Sequence, residues 1–102
     1  MSKTKTQKTS PKLKNLSAPL VLILAILDAY GNEGAYLSDV VSDYQELGID
    51  ISRRSICTYL HRVCRSGYAT AGREYTDGRW LAIYRINKDG IKELSWWRSA
   101  IN

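Results

Sequence analysis

A mostly helical α+β domain is what this sequence predicts, and three observations carry the prediction. Apolar residues recur at helical spacing in three successive stretches between residues 17 and 66, each closed by a glycine. Two aliphatic and aromatic runs then flank Thr76-Asp77-Gly78, an Asp-Gly hairpin signal. A fourth amphipathic stretch follows Asn87. At 102 residues the chain holds one core and not a second, which excludes a multi-domain enzyme.

The domain is expected over residues 16–102. Residues 1–15 carry Lys3, Lys5, Lys8, Lys12 and Lys14 with almost no apolar group. Ordering them would cost chain entropy with no burial to offset it, so a disordered basic tail is expected. Ser17 can cap a first helix with Pro19 in its opening turn. The run at residues 20–27 is apolar on nearly every side, as in a helix buried on more than one face. A strand could hold as many aliphatics, but the length, the cap and Gly31 favour a helix. Asn32-Glu33-Gly34 reads as a loop and residues 35–37 as a short strand. Leu37, Val40, Val41, Tyr44 and Leu47 keep the three-four spacing of a second helix, which Gly48 ends. The next helix starts within about five residues, the tight connection of a helix-turn-helix.

That third helix, residues 52–66, divides most sharply into two faces. Ser52 can cap its start, Ile51 and Ile56 occupy hydrophobic-staple positions, and Gly67 supplies the stop. At about 100° per residue Ile56, Tyr59, Leu60 and Val63 fall on one side. Arg54, Thr58, His61, Arg62 and Arg65 fall on the other, with Ser55 at its edge and Arg53 at the helix start. Residues 51–73 hold five arginines and no acidic residue. A merely solvated helix face normally mixes both signs, so an anionic partner is the economical explanation.

Residues 68–75 and 79–86 read as the strands of the hairpin. Trp80, Ala82, Tyr84 and Ile86 alternate with Leu81, Ile83 and Arg85. Neither set is cleanly polar, so the lower part of the hairpin should be covered on both sides. Asn87 can cap a last helix whose Ile91, Leu94, Trp97 and Ile101 share a face, with Trp96 on its flank.

The net charge of +5 hides a division: residues 15–52 hold six acids and no base, residues 53–102 ten bases and four acids. Such lopsidedness orients a molecule toward a polyanion. Cys57 and Cys64 are separated by about 10 Å of helix axis at 1.5 Å per residue, too far for a disulfide. Unlinked thiols and no signal peptide suit a reducing cytoplasm, that of a prokaryote or of a host cell in which a viral protein acts. The longest apolar run is about eight residues against roughly 20 for a membrane crossing, so no membrane partner is expected. The chain has one histidine, no glycine-rich phosphate loop and no paired carboxylates in an apolar setting. It is therefore read as a non-enzyme that needs no cofactor. Cys57, His61 and Cys64 could converge as a soft-metal or redox site, but a fourth ligand is missing, and no metal is assigned.

The order helix, short strand, helix, tight turn, helix, hairpin, helix is the winged helix-turn-helix arrangement: a three-helix core, a hairpin wing and a C-terminal helix. Within it the sequence resembles small regulators of the PadR and MarR type. Leu22-Ile23-Leu24-Ala25-Ile26-Leu27 is similar to their opening helix. Ile51-Ser52-Arg53-Arg54-Ser55-Ile56-Cys57-Thr58-Tyr59-Leu60 is similar to their recognition helix, and Arg62-Val63-Cys64-Arg65-Ser66-Gly67-Tyr68 to the turn into the wing. Tyr84-Arg85-Ile86-Asn87-Lys88-Asp89-Gly90-Ile91-Lys92-Glu93-Leu94 resembles the closing segment, with Asn87 in place of the usual Thr. The likeness spans residues 17–97.

The resemblance implies sequence-specific binding of double-stranded DNA as a homodimer and, usually, repression. On it, Arg53, Arg54, Ser55, Thr58, His61, Arg62 and Arg65 are candidates for the major groove. Arg73, Thr76 and Arg79 are candidates for wing contacts, or else edge charges that deter strand pairing. The five tail lysines would neutralise phosphates without sequence preference, or serve only as a solubilising leader. Leu20, Ile23, Ile91, Leu94, Trp96, Trp97 and Ile101 are candidates for a dimer interface, with ordinary core packing as the alternative. Two other functions stay open: a winged-helix adaptor that docks proteins without specific DNA binding, and an RNA-binding module, for which no stacking platform is evident.

Overall fold

Four helices and a three-stranded antiparallel sheet make up residues 18–101, the part of the chain that the computed structural model describes. The basic tail, the Ser17 cap and the Ile101 side chain lie outside the described residues. Helix α1, Ala18–Tyr30, leads through a single 3₁₀ turn into β1, Ala35–Tyr36. Helices α2, Leu37–Glu46, and α3, Arg53–Arg65, follow, then strands β2, Ala69–Thr76, and β3, Arg79–Ile86, and helix α4, Lys88–Ile101.

Helix α1 is the centre of the core. Its Leu20, Ile23, Leu24, Ile26 and Leu27 are buried, and it packs on α2, α3, α4 and β3. That many contacting elements is why a helix needs apolar residues nearly all round. From the other elements Val40, Tyr44, Ile56, Leu60, Val63, Tyr68, Tyr84 and Leu94 close the same cluster.

Two helices end alike, and both endings position α3. After α2 the Gly48 N–H donates to the Gln45 carbonyl and the Ile49 N–H to the Tyr44 carbonyl. After α3 the Gly67 N–H donates to the Cys64 carbonyl and the Tyr68 N–H to the Val63 carbonyl. This double closure needs a residue with positive φ, and Gly48 at +75° and Gly67 at +87° supply it. Leu47 was expected on the apolar face of α2, but 57% of it is exposed. The helix ends at Glu46 and the chain turns at Gly48, so Leu47 falls past the last helical residue, on the rim of an open hollow beside Ala25, Ile26 and Ala29 of α1.

Strand order in the sheet is β1-β3-β2. Ala69 pairs with Ile86 at the base and Thr76 with Arg79 at the tip. The connection is therefore two residues long, one fewer than the sequence suggested. Asp77 at φ +50° and Gly78 at +79° both take the left-handed conformation that a two-residue turn of this twist requires. At the base Ile83 and Tyr84, on opposite faces, are both buried, as expected of a hairpin covered on both sides there.

Helix α4 is rotated relative to the expected face. Gly90, Glu93 and Leu94 are buried and Trp97 half-buried, whereas Ile91 is 49% exposed. The cause is a close approach at Gly90, where a Cβ would sit 2.1 Å from the Tyr68 carbonyl oxygen. With α4 drawn in along that line, Glu93 turns inward beside the Tyr68 hydroxyl, whose pKa its carboxylate helps to raise.

Candidate nucleic-acid interface

Helix α3 stands on a fully buried row of Ile56, Leu60 and Val63 and offers the opposite row to solvent. Its start is fixed by Ser52, whose Oγ accepts from the Ser55 N–H at 3.1 Å. Ile51 is half-buried against the core just before the cap, consistent with the staple position. Arg53, Arg54, Thr58, His61, Arg62 and Arg65 are exposed. Arg54, Thr58, His61, Arg62 and Arg65 form one stripe about 16 Å long at 1.5 Å per residue, and Arg53 lies about 100° round from Arg54. Among the described residues the ion pairs are Arg85 with Glu74 and Arg98 with Asp28, so no arginine of α3 is tied to a carboxylate.

Two of the candidates on α3 are partly committed to the helix itself. The Ser55 side chain is half-buried and its Oγ accepts from the Ser52 hydroxyl at 3.0 Å. The Thr58 hydroxyl donates to the Arg54 carbonyl at 3.1 Å, which leaves its methyl and a lone pair outward. Cys57 and Cys64 are free thiols, both half-buried, and burial pushes the Cys64 thiol above its ordinary value. No cluster of metal-ligating side chains occurs among the described residues.

The pleat divides the wing candidates. Successive residues of a strand point to opposite faces and cross-strand partners share one. Arg73 therefore shares a face with Tyr75, Trp80 and Ala82, while Thr76 and Arg79 lie on the other face with Glu74 and Arg85. On that second face Glu74 accepts from the Tyr36 hydroxyl at 2.5 Å and lies 3.7 Å from the Arg85 guanidinium. Arg85 also donates through Nε to the Asn32 carbonyl at 2.8 Å. The first face carries an aromatic pair that sequence reasoning did not single out. Tyr75 and Trp80, directly paired across the strands, meet edge to face with centroids 5.4 Å apart. The Arg73 guanidinium sits 5.5 Å above the Trp80 ring. The available signal was their symmetric placement around the turn, each one residue outside the Thr76–Arg79 pair.

The dimer candidates separate by burial. Leu20 and Ile23 are buried within the core of the single chain, as ordinary core packing has it, and Leu94 is buried too but lines a groove between α1 and α4. Ile91 and Trp96 are each 49% exposed, on different flanks of α4. Between α1 and α4 runs an apolar groove of about 390 Å³ lined by Ala18, Val21, Leu22, Ala25, Leu94 and Trp97. Arg98 at its edge pairs with Asp28 at 3.4 Å, and Trp96 packs edge to face on Trp97 at 5.6 Å. The tail lysines lie outside the described residues.

The fold is that of winged-helix transcriptional regulators of the PadR and MepR kind. A PadR-family transcriptional regulator from Eggerthella lenta superposes with a TM-score of 0.70 at 17% identity, over 93% of this chain and 80% of that one. A PadR-like transcription factor from Bacteroides fragilis gives 0.69 at 18%, over 94% and 88%. S. aureus MepR in complex with DNA gives 0.69 at 19%, over 92% and 73%. No protein-family model and no curated protein matches the chain. Among the described residues no helix is long and apolar enough to cross a membrane.

Proposed function

We propose that this protein is a transcriptional regulator that binds double-stranded DNA sequence-specifically as a homodimer, with α3 in the major groove and the hairpin as wing, and that it acts as a repressor. The observation that carries the reading is the α3 stripe: exposed arginines free of internal carboxylates, backed by a fully buried aliphatic row. An unpaired cationic helix face of this kind meets phosphates and guanine edges, where an arginine can bind O6 and N7 as a fork. The S. aureus relative of the same fold was solved on DNA, which supports the same use here. Arg54, His61, Arg62 and Arg65 are the base and phosphate contacts of α3, with Arg53 on a flanking phosphate and Thr58 offering its methyl. Ser55 is demoted to the cap.

For the dimer, support comes from the α1–α4 groove and the exposed Trp96 beside it. A two-fold arrangement would set two copies of α3 about 34 Å apart, one turn of duplex. The tail lysines add affinity without sequence preference.

The test is a selection of bound duplexes from a random pool, followed by affinity measurements on the winner across salt. Enrichment of a near-palindrome supports the reading, and Arg54→Ala and Arg62→Ala should each cost about 1 to 3 kcal/mol on that site. Deleting residues 2–14 should reduce the salt slope by about 0.9 for each engaged lysine. A pool that never converges, with binding absent at low salt, would leave the adaptor reading in possession.

A further inference from the structure

We propose that Leu13 and Leu16 dock in an apolar hollow between the start of α1 and the turn that joins α2 to α3, with Lys12 and Lys14 beside Glu46 and Asp50, and so strap the basic N-terminal segment to the helix-turn-helix. The docking itself needs no DNA; only its consequence for the tail lysines rests on the DNA-binding reading above.

The hollow measures about 250 Å³, and its lining includes Ala18 and Leu22 of α1, Tyr44 of α2, Ile49 and Ile51 of the turn, and Tyr59 of α3. Ile49 at its rim is 39% exposed, and Ile51 and Tyr59 are only half-buried. The short connection thus places two isoleucines on a surface that the described residues cover in part. Tyr44 is 2% exposed, and its hydroxyl is buried with no hydrogen-bond partner among the described residues. A buried hydroxyl left unpaired is costly, and a backbone carbonyl of a docked segment would supply the acceptor.

Reach and charge name the occupant. Ala18, the first described residue, already lines the hollow, so the segment that precedes it starts at its edge. Leu16 is two residues away, about 7 Å of extended chain, and Leu13 five residues away, about 17 Å. They are the only leucines in residues 1–17, and their spacing of three lets both side chains share one side of a turn. Charge then selects this hollow over the α1–α4 groove, which shares Ala18 and Leu22 but has the cation Arg98 at its edge. Lys12 and Lys14 bracket Leu13. Asp50 stands exposed between Ile49 and Ile51, and Glu46 is exposed at the end of α2. Neither is in an ion pair among the described residues, and residues 15–52 contain no base that could serve them.

Because Tyr59 belongs to α3, a segment seated here lies against the helix that the proposed function sets in the major groove. Lys8 is five residues beyond Leu13, again about 17 Å of extended chain, with Lys5 and Lys3 further on. An anchored tail presents these lysines to phosphates near the start of α3 at a higher effective concentration than one tethered only at residue 17.

The experiment is NMR on the full chain with labelled leucine methyls, first without DNA. Cross-peaks from Leu13 or Leu16 methyls to the Tyr44 or Tyr59 ring are expected, with those methyls shifted upfield from their positions in a peptide of residues 1–17. Glu46→Lys combined with Asp50→Lys, both at exposed positions, should remove more than half of the cross-peak intensity, and added salt should act in the same direction. Leucine methyls at the free-peptide positions without cross-peaks would overturn the docking. Contacts to Val21 or Trp97 instead would put the segment in the α1–α4 groove and overturn the choice of hollow. Cross-peaks found only between differently labelled chains in a mixed sample would assign the hollow to the tail of a second copy and overturn the strap. Unchanged spectra in the lysine variant would overturn the part given to Glu46 and Asp50. On the selected duplex, Leu13→Ser combined with Leu16→Ser keeps every lysine and should weaken binding about threefold. Unchanged affinity there would overturn the link between strap and DNA, whereas failure of the native chain to select any duplex would remove the DNA-binding reading and leave the docking to stand on its spectra.

Discussion

Asn87 ties together three segments of chain. Its Oδ1 accepts from the Gly90 N–H at 2.8 Å, capping α4, while its Nδ2 donates to the Gly67 carbonyl at 2.9 Å, just past the end of α3. Its backbone N–H donates to the Tyr68 carbonyl at 3.1 Å. A threonine at this position could cap α4 but has no second donor arm to reach Gly67, which is a physical reason for an amide here. We expect Asn87→Ala to destabilise the fold by about 1 to 2 kcal/mol, read by urea denaturation. Gly90→Ala should cost more, because a Cβ would collide with the Tyr68 backbone and the helix would have to move. Asn87 as a cap was legible from its place before an amphipathic run. Its bond to Gly67 was not, since nothing local marks which distant carbonyl faces a side chain.

At the scale of the elements, α3 was legible almost residue by residue. Cap, staple, stop and two-faced distribution are all local signals, and the structure places Ile56, Leu60 and Val63 inside and the arginines outside. Ser52→Ala should therefore cost about 1 kcal/mol of stability and weaken the proposed DNA binding modestly by fraying the first turn, measurable by thermal melting and titration. The wing was legible as a hairpin because Asp-Gly announces the turn. Its division of labour was missed: a loop one residue too long leaves the pairing of Thr76 with Arg79 out of account. With that pair in place, period-two alternation separates Arg73 from Arg79 and brings Tyr75 to Trp80. Helix α4 was read with its face too far toward Ile91, because its rotation follows from how closely Gly90 approaches Tyr68.

At the scale of the whole molecule, one core carries the fold, and half-exposed Trp96 lies beside its α1–α4 groove. With the proposed homodimer, Trp96→Asp should shift sedimentation toward the monomer at micromolar concentration without lowering the melting temperature of the single chain by much, since Trp96 is half exposed. A variant that still sediments as the wild type would move the interface elsewhere. Alkali should destabilise the same core. Burial pushes Tyr44 up to about 12, and burial helped by the Glu93 carboxylate does the same for Tyr68. A group whose pKa is higher folded than unfolded stabilises fully below its unfolded value and loses that stability as pH rises through the folded value. Unfolding free energy should therefore hold up to about pH 9 and fall between about pH 10 and 12. Denaturant titrations at pH 8, 10 and 11.5 measure it, and Tyr68→Phe should flatten the fall.

Local signals alone determined the succession of helices, strand pair and turns, the two faces of α3 and the cap at Asn87, because each depends on residues within a few positions of one another. The rotation of α4, the inward Glu93, the exposure of Leu47 and the burial of Leu20, Ile23 and Leu94 within one chain were decided by tertiary structure. So was the assembly of Arg73, Trp80 and Tyr75 on one clean face while Glu74 is held on the other. Each of these depends on which distant backbone comes close enough to exclude water or to supply a partner. Periodicity says which side of an element is apolar, but only packing says how far that side is turned and what lies against it.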